Sequence, residues 1–134
     1  MLVSRLPDAL AAHRPRLHDG DRRAAVAVIA RAAAAGDELL FIRRAEHPLD
    51  PWSGHMAFPG GMMDPGDAEP LAAAVRETDE ELGLDLATAA ALVGRLSDVK
   101  PVSLRASLVI SPFVFTLPAE PPPLQPNHEV QEAV

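Results

Sequence analysis

The alternation of apolar and polar positions divides the chain into short elements. Leu2, Leu6 and Leu10 recur every fourth residue, so residues 4–12 are expected to form a short helix, with Ser4 or Asp8 as its cap. Val26, Val28 and Ile29 within residues 24–30 predict a buried strand. Residues 31–36 are rich in Ala, but they lie between two strand-like runs and end in Gly36-Asp37, which favours a turn. Leu39, Leu40, Phe41 and Ile42 then predict a second strand reaching Arg43, and the two strands pair most simply as a hairpin. A loop containing Pro48 and Pro51 follows, and residues 55–58 form a short strand aimed at Pro59-Gly60-Gly61.

The clearest helix comes next. Asp67 suits the N-cap, Pro70 falls in the first turn where its missing N–H costs little, and Gly83 followed by Leu84 suits the stop. Leu71, Ala74, Val75, Thr78 and Leu82 make one apolar stripe at helical spacing. Residues 85–91 are expected as a connection, and 92–96 as a strand. Residues 107–117 predict a strand that Pro112 places at an edge or a bulge. A proline-rich loop over 118–126 is expected to be extended and exposed, and residues 130–134 open another strand. The last run stops so early that the chain is expected to be cut short.

Composition narrows the class. At 134 residues this is expected to be a single domain over 1–134. With four Phe, one Trp and no Tyr, the core must be aliphatic. A net charge of −7 argues against nucleic acid as the main partner, but not against a small anionic substrate, because a bound metal inverts the local field. The absence of Cys removes disulfides and thiol nucleophiles and suits a reducing, cytoplasmic setting. No apolar run reaches transmembrane length, so no membrane partner is expected.

The helix ending at Leu82 is where the chemistry concentrates. Glu77, Asp79, Glu80 and Glu81 crowd its last turns, where the helix dipole makes negative charge unfavourable by roughly 0.3–1 kcal/mol per group. Glu77 and Glu81 also repel each other one turn apart. Glu77, Glu80 and Glu81 share a face opposite the apolar stripe, and carboxylate oxygens are the donors that Mg²⁺ or Mn²⁺ prefers. Arg76 can brace and partly neutralise them. A solvated acidic face is the simpler alternative, but the dipole penalty and the glycine pair just upstream favour a site. Gly60-Gly61 permits close approach of backbone to a ligand or metal. Several other residues have two readings. Arg22-Arg23 is either a phosphate contact or solvated, Trp52 either a lid or a stacking surface, and His55 either a ligand or hydrogen-bonded structure.

These residues resemble the Nudix hydrolases, whose box runs Gly, five residues, Glu, seven residues, then Arg-Glu-U-x-Glu-Glu-x-Gly-U, with U apolar. Arg76, Glu77, Glu80, Glu81, Gly83 and Leu84 match its second half, with Thr78 at an apolar slot. The first half is one residue longer between Gly61 and Arg76, and its first Glu is an Asp67 or is absent. That spacing after Phe58-Pro59-Gly60-Gly61, together with Leu39-Leu40-Phe41-Ile42-Arg43 and Gly54, is similar to the coenzyme A pyrophosphatase branch, although an intermediate Arg of that signature is lacking. The resemblance implies an α/β fold, an α/β/α sandwich around a mixed sheet, whose C-terminal helix has no counterpart in this sequence.

It further implies Mg²⁺- or Mn²⁺-dependent hydrolysis of a diphosphate bond in a nucleoside diphosphate linked to another moiety. Coenzyme A is the favoured substrate, giving 3′,5′-ADP and 4′-phosphopantetheine. ADP-ribose or NADH-type dinucleotides, a catalytically silent nucleotide-binding domain and a simple metal buffer are the alternatives. The metal ligands implied are Glu77, Glu80, Glu81 and the Gly61 carbonyl. Arg76 would orient Glu77 or Glu80, and one of the box glutamates or Glu129 would be the general base. Arg43, Arg44 and Gly60 would meet substrate, and family members commonly form homodimers.

Overall fold

A computed structural model describes residues 2–18, 22–33, 36–44, 56–100, 108–118, 120–127 and 130–133. The first element is helix α1 (Leu2–Ala12), which matches the expected helix within two residues at its start. β1 (Arg22–Ala33) carries the expected buried strand and runs on to Ala33, into the Ala-rich segment where a turn was expected. It meets β2 (Gly36–Leu39) as an antiparallel hairpin, with Ala30 opposite Leu39 and Ala33 opposite Gly36.

The expected second strand is divided. β2 ends at Leu39, and Ile42 opens β3 (Ile42–Arg44), which belongs to a different sheet. The Phe41 ring lies at the crossing and stacks on Phe58, with centroids 4.8 Å apart. Phe58 follows β4 (Met56–Ala57), the antiparallel partner of β3, so the ring pair ties the two segments where the chain changes sheet. A run of four apolar residues cannot show this: Leu39 ends β2 with an exposed side chain, whereas Ile42 is buried where β3 begins.

The larger sheet has five strands. Its path is β2, β1, β7 (Leu108–Leu117) and β6 (Ala91–Arg95), and β5 (Gly60–Met62) pairs with β1 beside β2. β1 and β7 are parallel and the other pairs antiparallel, so the sheet is mixed. The second sheet is β4, β3 and β8 (Val130–Ala133). β7 is therefore an inner strand, so Pro112 is not at an edge, and the bulge in its ladder with β6 falls at Leu92/Gly94, opposite Phe115 and Val114 rather than Pro112. The Pro112 carbonyl accepts from the Leu96 N–H at 3.0 Å, so the missing N–H on the same residue also faces the β6 side. The position where Pro112 cannot donate faces Leu96, one residue past the end of β6 at Arg95, so the gap falls at the end of that ladder.

Helix α2 (Pro70–Leu82) packs on one face of this sheet. Ala73, Ala74 and Leu82 share a core with Ala25, Ala27, Ile29, Phe113 and Phe115. Alanines on both sides let helix and strand approach closely, which a larger side chain would prevent. Leu10 of α1 lies against Gly94, the cross-strand partner of Val114, on the opposite face from Phe113 and Phe115. The layers are thus helix, sheet, helix. The expected connection at 85–91 contains a one-turn helix, α3 (Leu86–Ala89), capped by the Asp85 carboxylate, which accepts from the Ala87 N–H. Among the described residues no helix is long and apolar enough to cross a membrane.

The proline-rich loop is not merely exposed. One of the few N–H groups its prolines leave, and that of the residue just after the loop, are used at the end of α2. The Gln125 N–H donates to the Leu82 carbonyl at 2.6 Å and the Asn127 N–H to the Glu81 carbonyl at 2.9 Å. Gly83, in the left-handed conformation at φ 63°, donates to Asp79 at 2.8 Å. The Asp79, Glu81 and Leu82 carbonyls at the end of the acidic helix are therefore paired, which reduces the dipole penalty its sequence suggests.

Candidate functional site

Two glycines and one helix turn build the site. Gly60 has φ 151°, a conformation that side-chain-bearing residues rarely adopt, and a Cβ on it would lie 2.2 Å from the Ala25 carbonyl oxygen. Its open face is thus turned to β1 rather than to a ligand. Its N–H donates to the Glu81 carboxylate at 2.9 Å, and Glu81 is 1% exposed. At Gly61 the free space is filled by another carboxylate: a Cβ there would lie 2.7 Å from the carboxyl carbon of Glu77. β5 therefore lies directly against two of the expected ligands.

Arg76 organises the rest. Its Nε and Nη2 donate to the two oxygens of Asp67 at 3.2 and 3.0 Å, and Nη2 also donates to the Met62 carbonyl at 3.1 Å. Nη1 is left facing the helix. It donates to Glu77 at 3.0 Å and to both oxygens of Glu80 at 3.2 Å. A fourth carboxylate, Asp64, is 3.4 Å from Nη2. The bidentate grip fixes the plane of the guanidinium, so the direction in which Nη1 meets Glu77 and Glu80 is set from behind.

Asp67 is the residue the sequence placed differently. It is not the N-cap of α2: Glu69 holds that position without a side-chain bond, and Pro70 takes the first helical position. The Asp67 side chain is 6% exposed and accepts from the Asp64 N–H at 2.8 Å as well as from Arg76. The Arg76 hydrogen bond, followed by that backbone bond, holds its carboxyl below the usual carboxylate range. The same bond to Asp67, helped by Glu80 and Glu77, outweighs burial and raises the Arg76 guanidinium further above its ordinary value. Counting six residues on from Gly61 was the signal for this partner.

The chemistry of the donor set fits a hard divalent cation. Glu77, Glu80 and Glu81 supply oxygens, and Glu77 is pressed against the backbone of Gly61, whose carbonyl was the fourth expected donor. Among the described residues, however, no three acidic side chains are gathered as a metal-holding group. Without an ion, like charges repel, and Arg76 serves as counter-ion to Glu77 and Glu80. Glu80 remains half-exposed, so it is open to a competing cation.

The remaining candidates divide. Arg43 and Arg44 lie on β3, with Arg43 opposite Met56 on one side and Glu132 on the other, and Arg44 opposite Val130. Glu129, Trp52 and His55 lie outside the described residues. Of the Arg22-Arg23 pair, Arg22 is exposed, as the solvated reading expects, whereas Arg23 is partly buried and donates to Asp98 at 3.1 Å and to Ser111 at 2.8 Å. A cavity of about 440 Å³ lies elsewhere, between Ile29, Leu39, Leu117 and Leu124, and none of the α2 acids lines it.

Comparison with known proteins agrees with this geometry. The NUDIX domain family matches residues 21–134. The chain is 34% identical over 116 residues to the uncharacterized Nudix hydrolase NudL of Yersinia pestis (strain Pestoides F), covering 87% of this chain and 55% of that protein. It thus spans about half the length of the curated relatives it matches. Among solved structures it is similar to a Nudix hydrolase from M. smegmatis, RenU, at a TM-score of 0.68 and 25% identity, over 87% of this chain and 71% of that one. It is also similar to a C. elegans Ap4A hydrolase, at a TM-score of 0.66 and 25% identity, over 84% and 77% of the two chains. The NUDIX domain of Shewanella oneidensis NrtR, solved with ADP ribose, shares the fold at a TM-score of 0.61 and 17% identity, over 92% and 74%. With the family matched over most of its length and its box residues standing around Arg76, the chain is a member of the Nudix family.

Proposed function

We propose that this chain is a divalent-metal-dependent pyrophosphohydrolase that cleaves a nucleoside diphosphate linked to another moiety, with coenzyme A as the favoured substrate and the cytoplasm as its setting. The observation that carries this reading is the fan of carboxylates around Arg76, set against β5 by Glu77 at Gly61 and Glu81 at Gly60. Glu77, Glu80, Glu81 and the Gly61 carbonyl would hold Mg²⁺ or Mn²⁺. When bound, the cation supplies neutralisation of the diphosphate charge and a more acidic water.

The chain's own groups do the rest. Arg76 keeps Glu77 and Glu80 in register, and Gly60 acts through its N–H, which fixes Glu81. One of these glutamates, or Glu129, takes the proton of the attacking water. Arg43 and Arg44 meet the substrate phosphates from β3. The sequence Phe58-Pro59-Gly60-Gly61 and the long spacing to Arg76 support the coenzyme A branch. Relatives of this fold act on or bind other nucleotides, such as Ap4A in the C. elegans hydrolase.

A second reading is a nucleotide-binding domain that does not turn over. It is favoured by the way Arg76 already neutralises Glu77 and Glu80. Incubation with coenzyme A, NADH and ADP-ribose, with and without Mg²⁺, followed by mass analysis of products, separates the readings. We expect 3′,5′-ADP and 4′-phosphopantetheine from coenzyme A only when Mg²⁺ is present. Turnover of NADH or ADP-ribose alone moves the substrate, and no turnover with nucleotide binding retained selects the silent domain. A homodimer, common in the family, is read from the mass in solution.

A further inference from the structure

A second charged cluster lies at the start of β1, and nothing in the proposed chemistry uses it. Asp98 is its centre, with a side chain 1% exposed. Its carboxylate accepts from Arg23 at 3.1 Å, Arg95 at 2.9 Å, the Ser111 hydroxyl at 2.8 Å and the His18 N–H at 3.0 Å. Arg23 also donates to the Ser111 hydroxyl and to the His18 carbonyl, and the Arg95 guanidinium lies 4.9 Å over the Phe113 ring. The side chain of Arg23, the second residue of β1, is thereby held from three directions.

The backbone of the same residue leads to the site. The Arg23 carbonyl accepts from the Met63 N–H at 2.9 Å, the bond that closes the β1–β5 ladder next to the Ala24–Met62 pair. Met62 in turn offers its carbonyl to Arg76 Nη2. β5 has only three residues, and β1 is its one strand partner among the described residues. The first residues of a strand fray unless they are tied down. Here the backbone is tied by the β7 ladder, with Arg23 opposite Val109, and the side chain by the Asp98 cluster, two hydrogen bonds removed from the guanidinium.

We propose that Asp98 and Arg23 are positioning residues for Arg76, acting through the Arg23–Met63 and Met62–Arg76 hydrogen bonds. This rests on the reading of the α2 acids as a metal site only for its functional consequence. The link between the two clusters is measured independently, by hydrogen exchange at the Met63 amide and at Arg76 Nε–H.

The test compares Asp98→Asn, and the milder Ser111→Ala should Asp98→Asn fail to fold, with Leu86→Ala. The last empties a buried core position in α3, away from β5. At equal distance from each variant's Tm, we expect exchange at Met63 and Arg76 Nε–H to quicken about tenfold more in the Asp98 or Ser111 variant than in Leu86→Ala. We also expect Mn²⁺ affinity to fall about tenfold in the Asp98 variant, as for partners that orient ligands elsewhere. Equal exchange in the two kinds of variant overturns the proposal, as does quickened exchange with unchanged Mn²⁺ affinity. Coupled exchange in a wild-type protein that binds no Mn²⁺ retains the positioning link and removes the metal-site reading.

Discussion

The two charged clusters of this molecule are built in opposite senses. Around Arg76 one cation faces four carboxylates: Asp64, Asp67, Glu77 and Glu80. Around Asp98 one carboxylate faces two arginines, a hydroxyl and a backbone N–H. The Asp98 side chain is sealed, whereas the Glu80 side chain is 53% exposed. A buried charge that is saturated with donors has nothing left to bind and contributes to the fold. An excess of carboxylates left open to solvent retains unspent negative potential and can take up a cation. The same residue types thus stand in two clusters near the start of β1, one closed and one partly open, and the balance of charge and access separates them.

This contrast can be broken at several points. The largest effect is expected beside the open cluster, at the buried Glu81 that the Gly60 N–H holds. Glu81→Gln should lower hydrolysis of the best substrate by at least about a hundredfold while leaving the circular dichroism spectrum unchanged. Rates within twofold of wild type would remove Glu81 from the site. In the sealed cluster the effect should be on stability. Asp98→Asn should cost about 2–3 kcal/mol in urea unfolding, at the low end for a broken buried pair because both arginines keep about a quarter of their side chains in solvent. An unchanged urea midpoint would make the cluster a surface network.

Asp67→Asn tests the part of the open cluster that is structural in character. Arg76 should lose its fixed plane, and hydrolysis should fall about tenfold with KM for substrate little changed. A change confined to KM would place Asp67 in substrate binding instead. The smallest effect is the pH dependence. Burial pushes the Asp98 carboxyl up, but the His18 N–H, Ser111, Arg23 and Arg95 together hold it below its ordinary 3.8. A depressed folded value stabilises above the unfolded pKa, and that stability is lost as pH falls through the folded value. Wild-type protein should therefore lose stability on acidification below about pH 4, and Asp98→Asn should show a shallower acid limb. Parallel limbs would mean that Asp98 is not protonated differently in the two states.

Much of the site was legible in the sequence because its parts are close in the chain. Arg76 to Leu82 lie on one helix, and the Gly83 stop was observed as expected, but of the three glutamates expected opposite the apolar stripe Glu81 is buried together with Ala74, Thr78 and Leu82. The glycine pair was legible as a place of close approach, but not what approaches. At Gly60 it is β1, and at Gly61 it is the Glu77 carboxylate. Asp67 was visible twice, as a helix cap and as a displaced box residue, and local rules favoured the cap. The preference of Arg76 for a planar, bidentate partner decided otherwise.

The sequence by itself determined the elements whose apolar period is local: α1, the buried centre of β1, the acidic helix α2, and β7 with its Phe and Val residues. It also determined the family, since a box of fixed spacing on one loop and one helix needs no tertiary information. Only the tertiary structure decided that residues 39–43 serve two sheets, that Pro112 sits in an inner strand where a neighbour has just ended, and that Gln125 and Asn127 turn their N–H groups to the end of α2. It alone paired Arg23 with Asp98, 75 residues away. The physical reason is the same throughout. Periodicity records which side of an element is buried, whereas a hydrogen bond between distant charged groups depends on where the strands carrying them come to lie.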